Sequence, residues 1–261
     1  MNELLKRSIF GLLYVVIVLF SLQTYFGTTL LLGLFLAIGL IEFSGLIQLE
    51  HKTVWLPSFF IFFTSFLYHN DPAINHKVIK ISLAFAVLTL FIPMIYFIFD
   101  KISKEYLAKM YLSIFYLALP FSMALAINNK LLVVIFIIIW ASDSFAYLFG
   151  KYFGKHKLAE KISPKKTIEG FAGGLIGSLV TALIIYYSGW DMNFKLYPFL
   201  FMSLIIVIFG TFGDLLESRF KRLAGVKDSG NVIPGHGGIL DRLDSFILAV
   251  PFVFAYLLII Q

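Results

Sequence analysis

The residues that could do chemistry lie in the second half of the chain. Asp143, Asp214 and Asp244 sit inside or at the ends of long apolar runs, and Asp241 stands three residues before Asp244. Carboxylates in such runs are costly, so a functional role is the default expectation. Their oxygens are hard ligands suited to Mg²⁺. Lys221, Arg222, Lys227 and Arg242 supply fixed positive charge suited to phosphate. Gly235, Gly237 and Gly238 let backbone approach a ligand closely, and successive N–H groups can cradle an anion. Asp241 and Asp244 share one face if a helix has begun there. A carboxylate cluster beside a basic cluster is what Mg²⁺-assisted phosphoryl or nucleotidyl transfer requires. Metal and cations neutralise charge on phosphate oxygens, and positioning does most of the rest.

A second cluster runs from Lys151 to Gly170 and holds Lys155, His156, Lys157, Ser163, Lys165, Lys166, Thr167 and Glu169. Ser163-Pro164 reads as an N-cap followed by a first-turn proline, with Glu169 suited to the same first turn. On that reading Ser163, Lys165, Lys166 and Thr167 hold phosphates at a helix N-terminus, where free N–H groups and the dipole favour anions. Plainer readings stand beside these. The lysines would also bind anionic lipid headgroups, glycine clusters usually mark turns, and each aspartate alone could be a structural ion pair. His236 reads equally as a hydrogen-bonded loop residue, and it has no histidine partner at zinc spacing. Glu42 stands apart from both clusters and takes a structural or surface role. With no cysteine, thiolate chemistry, disulfides and Cys-ligated metal are excluded.

The elements that must position these groups are membrane helices. The 261 residues are 60% hydrophobic and 14% charged, with mean hydropathy +0.91. Soluble domains are about 45–50% apolar and about 25% charged, so an ordinary cytosolic enzyme, a disordered chain and a secreted disulfide scaffold are excluded. Nine apolar stretches approach the length of a spanning helix: 8–26, 28–48, 54–69, 79–99, 106–127, 131–150, 169–188, 197–215 and 243–260. The third is short and aromatic. The first two are separated only by Gln23–Thr29, which predicts a tight helical hairpin. No period-two alternation suggests a β-barrel, and the N-terminal run is too long, without a cleavage signal, for a secretory leader. Nine spans place 17 of the 21 Lys and Arg residues on one side. That excess marks the cytoplasmic face and puts the N-terminus there. Eleven of the 17 fall in loops 151–168 and 216–242. The expected architecture is an all-α, polytopic integral membrane protein of one domain. Residues 1–130 form a lipid-embedded scaffold and 131–261 a catalytic half.

The stretch Ser218-Arg219-Phe220-Lys221-Arg222, then Lys227-Asp228, Pro234-Gly235-His236-Gly237-Gly238 and Asp241-Arg242-Leu243-Asp244 resembles the signature of the phosphatidate cytidylyltransferases. Asp143–Tyr147, Gly154–Leu158 and Ser163–Gly170 also resemble that family. The resemblance covers roughly residues 140–261. It implies that CTP and phosphatidic acid give CDP-diacylglycerol and pyrophosphate with Mg²⁺, with a second or monovalent cation as a further possibility. It implies metal binding at Asp214 and Asp241, supported by Asp143 and Asp244. Lys221 and Arg222 join the aspartates as catalytic residues. Asp143, Ser163, Lys165, Lys166, Thr167, Glu169, Ser218, Lys227, Asp228, His236, Gly237, Gly238 and Arg242 are the implied substrate contacts. The implied partners are CTP, phosphatidic acid and membrane lipid, with no nucleic acid, and a homodimer in a bacterial inner membrane with its active site at the cytoplasmic face. A CTP-dependent lipid kinase would use similar charges, with CDP as its product. A transporter would show repeated halves with broken helices near the midplane, and no repeat is visible.

Overall fold

Runs of leucine, isoleucine and phenylalanine leave the backbone no water to bond, so the chain satisfies its N–H and C=O groups within helices. The computed structural model describes residues 3–50, 52–70, 76–190, 194–235 and 237–260. It contains α1 (Glu3–Ser21), α2 (Tyr25–Leu46), α3 (Lys52–Asn70), α4 (His76–Ile98), α5 (Lys104–Ser113), α6 (Leu119–Leu125), α7 (Asn129–Phe153), α8 (Ile168–Tyr187), α9 (Leu196–Leu223) and α10 (Leu240–Ile260). A π-helical segment, Ile114–Ala118, joins α5 to α6, and two short strands, β1 (Lys157–Ala159) and β2 (Ser163–Thr167), precede α8. The protein is an all-α polytopic membrane protein. Among the described residues seven helical segments are long and apolar enough to cross a membrane, and Ser8–Ser21 and Val54–Tyr68 are shorter apolar helices. The expected first and third spans are those two shorter helices.

The chain groups into two units, and the grouping does not follow chain order. One unit holds residues 1–127 together with 228–240; the other holds 128–227 and 241–261. The glycine-rich segment expected to belong wholly to the second half is therefore part of the unit built by the N-terminal helices.

In the first unit, the α1–α2 hairpin is tighter than the seven-residue connection expected. α2 begins at Tyr25, where the Thr24 hydroxyl accepts a hydrogen bond from the Gly27 N–H at 3.0 Å. Thr28 and Thr29 are already helical and donate their hydroxyls to the carbonyls four residues back. The aromatic run of α3 stacks on itself (Phe59 on Phe63) and on α4 (Phe60 on Phe85, 5.4 Å between centroids). Ser65 on α3 donates to the Ser122 carbonyl on α6 at 2.7 Å.

In the second unit, small residues on α8 let α7 approach closely, the usual device where lipid supplies no hydrophobic drive between helices. A Cβ on Gly173 would strike the Phe149 ring and one on Gly177 the Phe145 ring; Gly174 faces Ser142. These glycines recur at helical spacing, so they form one stripe. α9 and α10 meet in the same way. A Cβ on Gly213 would fall on the Asp244 carbonyl, and one on Gly210 would lie 3.3 Å from Cβ of Ser245. Further along, Phe209 stacks on Phe252, and the Tyr256 hydroxyl donates to the Pro198 carbonyl.

The segment before α8 corrects one expectation. Ser163 and Pro164 do not open the helix. They lie in β2, which pairs antiparallel with β1 in the register Lys157↔Thr167 and Ala159↔Ser163. Proline has no N–H to give a ladder, and a two-stranded edge accommodates it. The N-cap is Thr167, whose hydroxyl accepts from the Gly170 N–H at 3.1 Å. The expected 216–242 loop also begins later. At about 1.5 Å per residue, the 28-residue α9 reaches about 42 Å, beyond the roughly 30 Å apolar core of a bilayer. Ser218, Lys221 and Arg222 therefore lie on helix.

Candidate active site

Within the second unit a cavity of about 340 Å³ opens between the C-terminal part of α7, the β-hairpin, the start of α8 and the polar part of α9. Asp143, Tyr147 and Lys151 line it from α7, Lys165, Lys166 and Thr167 from β2, and Asp214 and Thr211 from α9. The Gly150, Gly170 and Gly174 backbones form part of its wall. The glycine stripe thus has a second effect, bringing Asp143 close to the lysines of β2.

The charges are arranged in pairs. Lys166 Nζ lies 2.5 Å from Asp214 Oδ2, and Ser218 Oγ donates to Asp214 Oδ1 at 3.2 Å. About two turns beyond Asp214 on α9, Lys221 Nζ contacts Asp241 Oδ1 at 2.6 Å and Glu217 Oε1 at 3.3 Å. Asp143 lies within electrostatic range of Asp214, Lys166 and Arg242, and Asp244 within range of Asp214, Glu217 and Asp143. Asp244 also accepts the Ser245 N–H at 2.6 Å. Spacing along α9 explains the order: Asp214, Glu217, Ser218 and Lys221 recur at three- and four-residue intervals on one face.

Sequence reasoning assigned no role to Glu217. It is fully buried, with Lys221, Asp241 and Asp244 as its charged neighbours. Lys221 is the cation beside it. The signal that could have found Glu217 is its i,i+4 relation to Lys221 on the same face as Asp214.

Of the expected site residues, Asp143, Lys165, Lys166, Thr167 and Asp214 line the cavity. Asp241, Asp244, Ser218, Lys221 and Arg242 surround these through the pairs above. Others take different positions. The Glu169 carboxylate accepts the Lys155 and His156 N–H groups and contacts His156 Nδ1 at 2.6 Å, so it fastens the entry to the hairpin. Ser163 sits at the far end of β2. Arg222 donates to the Val226 carbonyl at 2.9 Å, closing the end of α9. Lys227 and Asp228 are exposed. His236 lies outside the described residues. Gly237 has φ +87°, a region that favours glycine, and its carbonyl accepts from the Ile233 N–H. Gly238, an expected substrate contact, is buried against Ser229 and the carboxylate of Glu42. The Ile239 and Leu240 N–H groups donate to that carboxylate at 3.0 and 2.9 Å. The backbone donors at this carboxylate are thus the two residues that follow the glycines.

Among the described residues no three His, Cys, Asp or Glu side chains form a ready metal cage. The donor set still suits Mg²⁺, which is commonly held by one or two carboxylates plus waters and substrate phosphate oxygens. Lysine-paired aspartates beside an open cavity are also what a triphosphate needs, because its oxygens can take over the ammonium groups while a metal takes the carboxylates.

The cytidylyltransferase family matches residues 5–260. A phosphatidate cytidylyltransferase of Staphylococcus haemolyticus is 36% identical over 231 residues, which is 86% of this chain and 88% of the relative. A phosphatidate cytidylyltransferase of Staphylococcus aureus is 49% identical over 116 residues, 44% of each chain. The chain belongs to the cytidylyltransferase family.

Proposed function

We propose that this protein transfers the cytidylyl group of CTP to phosphatidic acid, giving CDP-diacylglycerol and pyrophosphate. The observation that carries the proposal is the pair of lysine–aspartate contacts, Lys166–Asp214 and Lys221–Asp241, gathered beside a cavity in a chain of the cytidylyltransferase family. The named relatives supply the substrates.

A phosphate oxygen of phosphatidic acid forms a bond to the α-phosphorus of CTP, and the bond from that phosphorus to the β-phosphate bridging oxygen breaks. Pyrophosphate leaves with the electron pair. The attacking phosphate is already ionised, so no strong general base is required, in keeping with a site of lysines and carboxylates. Lys165 and Lys166 meet phosphate at the cavity, and Lys221 and Arg242 offset charge from the side of α9 and α10. Thr167, as N-cap, fixes the turn that carries both β2 lysines. Asp214 and Asp241 would hold Mg²⁺, with Asp143 and Asp244 in support. When bound, the metal supplies charge neutralisation on phosphate oxygens.

The same reading places the cavity at the cytoplasmic face of a bacterial inner membrane, the N-terminus on that side and the enzyme as a homodimer. The lysine excess of the 151–168 segment supports that orientation, and the staphylococcal relatives support the bacterial setting. Purified protein in detergent with labelled CTP, phosphatidic acid and Mg²⁺ should form labelled CDP-lipid and pyrophosphate. Release of CDP with a newly phosphorylated lipid would instead identify a kinase, and no labelled product would sink the proposal. Omitting Mg²⁺ should abolish turnover.

A further inference from the structure

Glu42 is an acid on an apolar span. Its side chain is 8% exposed. Among the described residues, Ile239 N–H at 3.0 Å, Leu240 N–H at 2.9 Å and Ser229 Oγ at 3.0 Å donate to its two oxygens. The Ile239 and Leu240 N–H groups open α10, where the helix end favours negative charge. The surrounding glycines are shaped to this carboxylate. A Cβ on Gly230 would lie 2.6 Å from Glu42 Oε1, and one on Gly238 2.5 Å from Oε2. The first unit thus contains a complete anion site, filled from within. Asp241 is the next residue along the chain from Leu240.

We infer that Glu42 is a positioning residue for the transfer reaction. It acts as an internal anion that holds the segment 228–240 and the first turn of α10, and so fixes where Asp241 and Arg242 begin. This rests on the reading above that Asp241 and Arg242 serve the reaction. A carboxylate is needed because three donors converge on it. A carboxamide keeps the shape but turns an N–H₂ group toward donors, which leaves buried N–H groups unsatisfied. A misplacement of about 1 Å at catalytic groups can cost about 10²-fold in rate, so a loosened α10 start should act mainly on kcat.

The test uses the full-length protein in detergent, as wild type, Glu42→Gln and Glu42→Ala, with deuterium exchange read at 229–240 and CDP-lipid formation read in parallel. Both variants should exchange Ile239 and Leu240 at least about tenfold faster and lose about tenfold or more in kcat, with smaller changes in either KM. Formate added to Glu42→Ala should restore both, because it refills the site with a small carboxylate; generic loss of fold would not respond to it. If Glu42→Ala fails to fold, Glu42→Gln, nearly isosteric, carries the exchange comparison alone. Unchanged exchange in Glu42→Gln would overturn the inference. So would faster exchange at full kcat, which would leave Glu42 a structural clasp only. A wild-type protein that makes no CDP-lipid would remove the proposed function, whereas the exchange result would still stand or fall separately.

Discussion

Two kinds of carboxylate environment exist in this protein. Glu42, in the first unit, is held by two backbone N–H groups and a hydroxyl. Asp214 and Asp241, in the second, are each held by a lysine ammonium, at 2.5 and 2.6 Å. Neutral donors fixed to backbone have no competing partner, and a carboxylate among them stays where folding put it. Lysines sit on flexible stems and bind phosphate as readily as carboxylate. The first arrangement is permanent and the second is exchangeable. Both acids are carboxylates, so the difference lies in the donors rather than in the acid.

The largest effect should come from the exchangeable class. Asp241→Asn keeps size and loses the charge, and activity measured as labelled CDP-lipid should fall by about 10²-fold or more. Near-normal activity would empty that class of its function and undo the contrast with Glu42. Lys221→Ala comes next. It removes the lysine beside fully buried Glu217 and largely buried Asp241, and breaking a buried pair from one side costs about 3–5 kcal/mol. Thermal unfolding in detergent should drop markedly, together with activity; an unchanged melting temperature would show that Lys221 is not a structural member of its pairs. Lys166→Ala should matter less for stability, since both members of its pair are partly exposed. The expected result is about a tenfold rise in the KM of one substrate, and no kinetic change would remove Lys166 from the phosphate contacts. The smallest effect should be Ser229→Ala, which removes one of three donors to Glu42. A loss of about 1 kcal/mol in stability with kcat nearly unchanged is expected, and a large kcat loss would mean that the hydroxyl, not the N–H pair, fixes the clasp.

The charges and their grouping were legible in the sequence because lipid permits so few of them. Asp143, Asp214 and Lys166 stand out against apolar runs and do converge. The helices were legible for the same reason, although α9 runs past its apolar part and takes Lys221 with it. The hairpin 157–167 was hidden, because β1 is only three residues long, β2 reads Ser163-Pro164-Lys165-Lys166-Thr167 with no alternating apolar positions, and Ser163-Pro164 imitates a helix start. Glu217 was hidden because its meaning depends on being buried beside Lys221. Glu42 was separated from its partners by almost the whole chain: Ile239 lies 197 residues further on. A pattern read along neighbouring positions has no access to a pairing of that length. The glycine cluster reads as an anion cradle, but the Ile239 and Leu240 N–H groups are the backbone donors found there, and nothing local names Glu42 as their acceptor.

That separation also sets a schedule for biosynthesis. Chains grow from the N-terminus at about 5–20 residues per second, so α2 exists roughly 10–40 s before Ile239 and Leu240 are made. Through that interval Glu42 is an acid in a membrane helix whose permanent donors have not been synthesised. The N-terminal helices cannot reach their final form as an early, self-sufficient block. They are completed by a short piece of chain added near the end, so premature termination before residue 240 would leave the first half unfinished as well as the second.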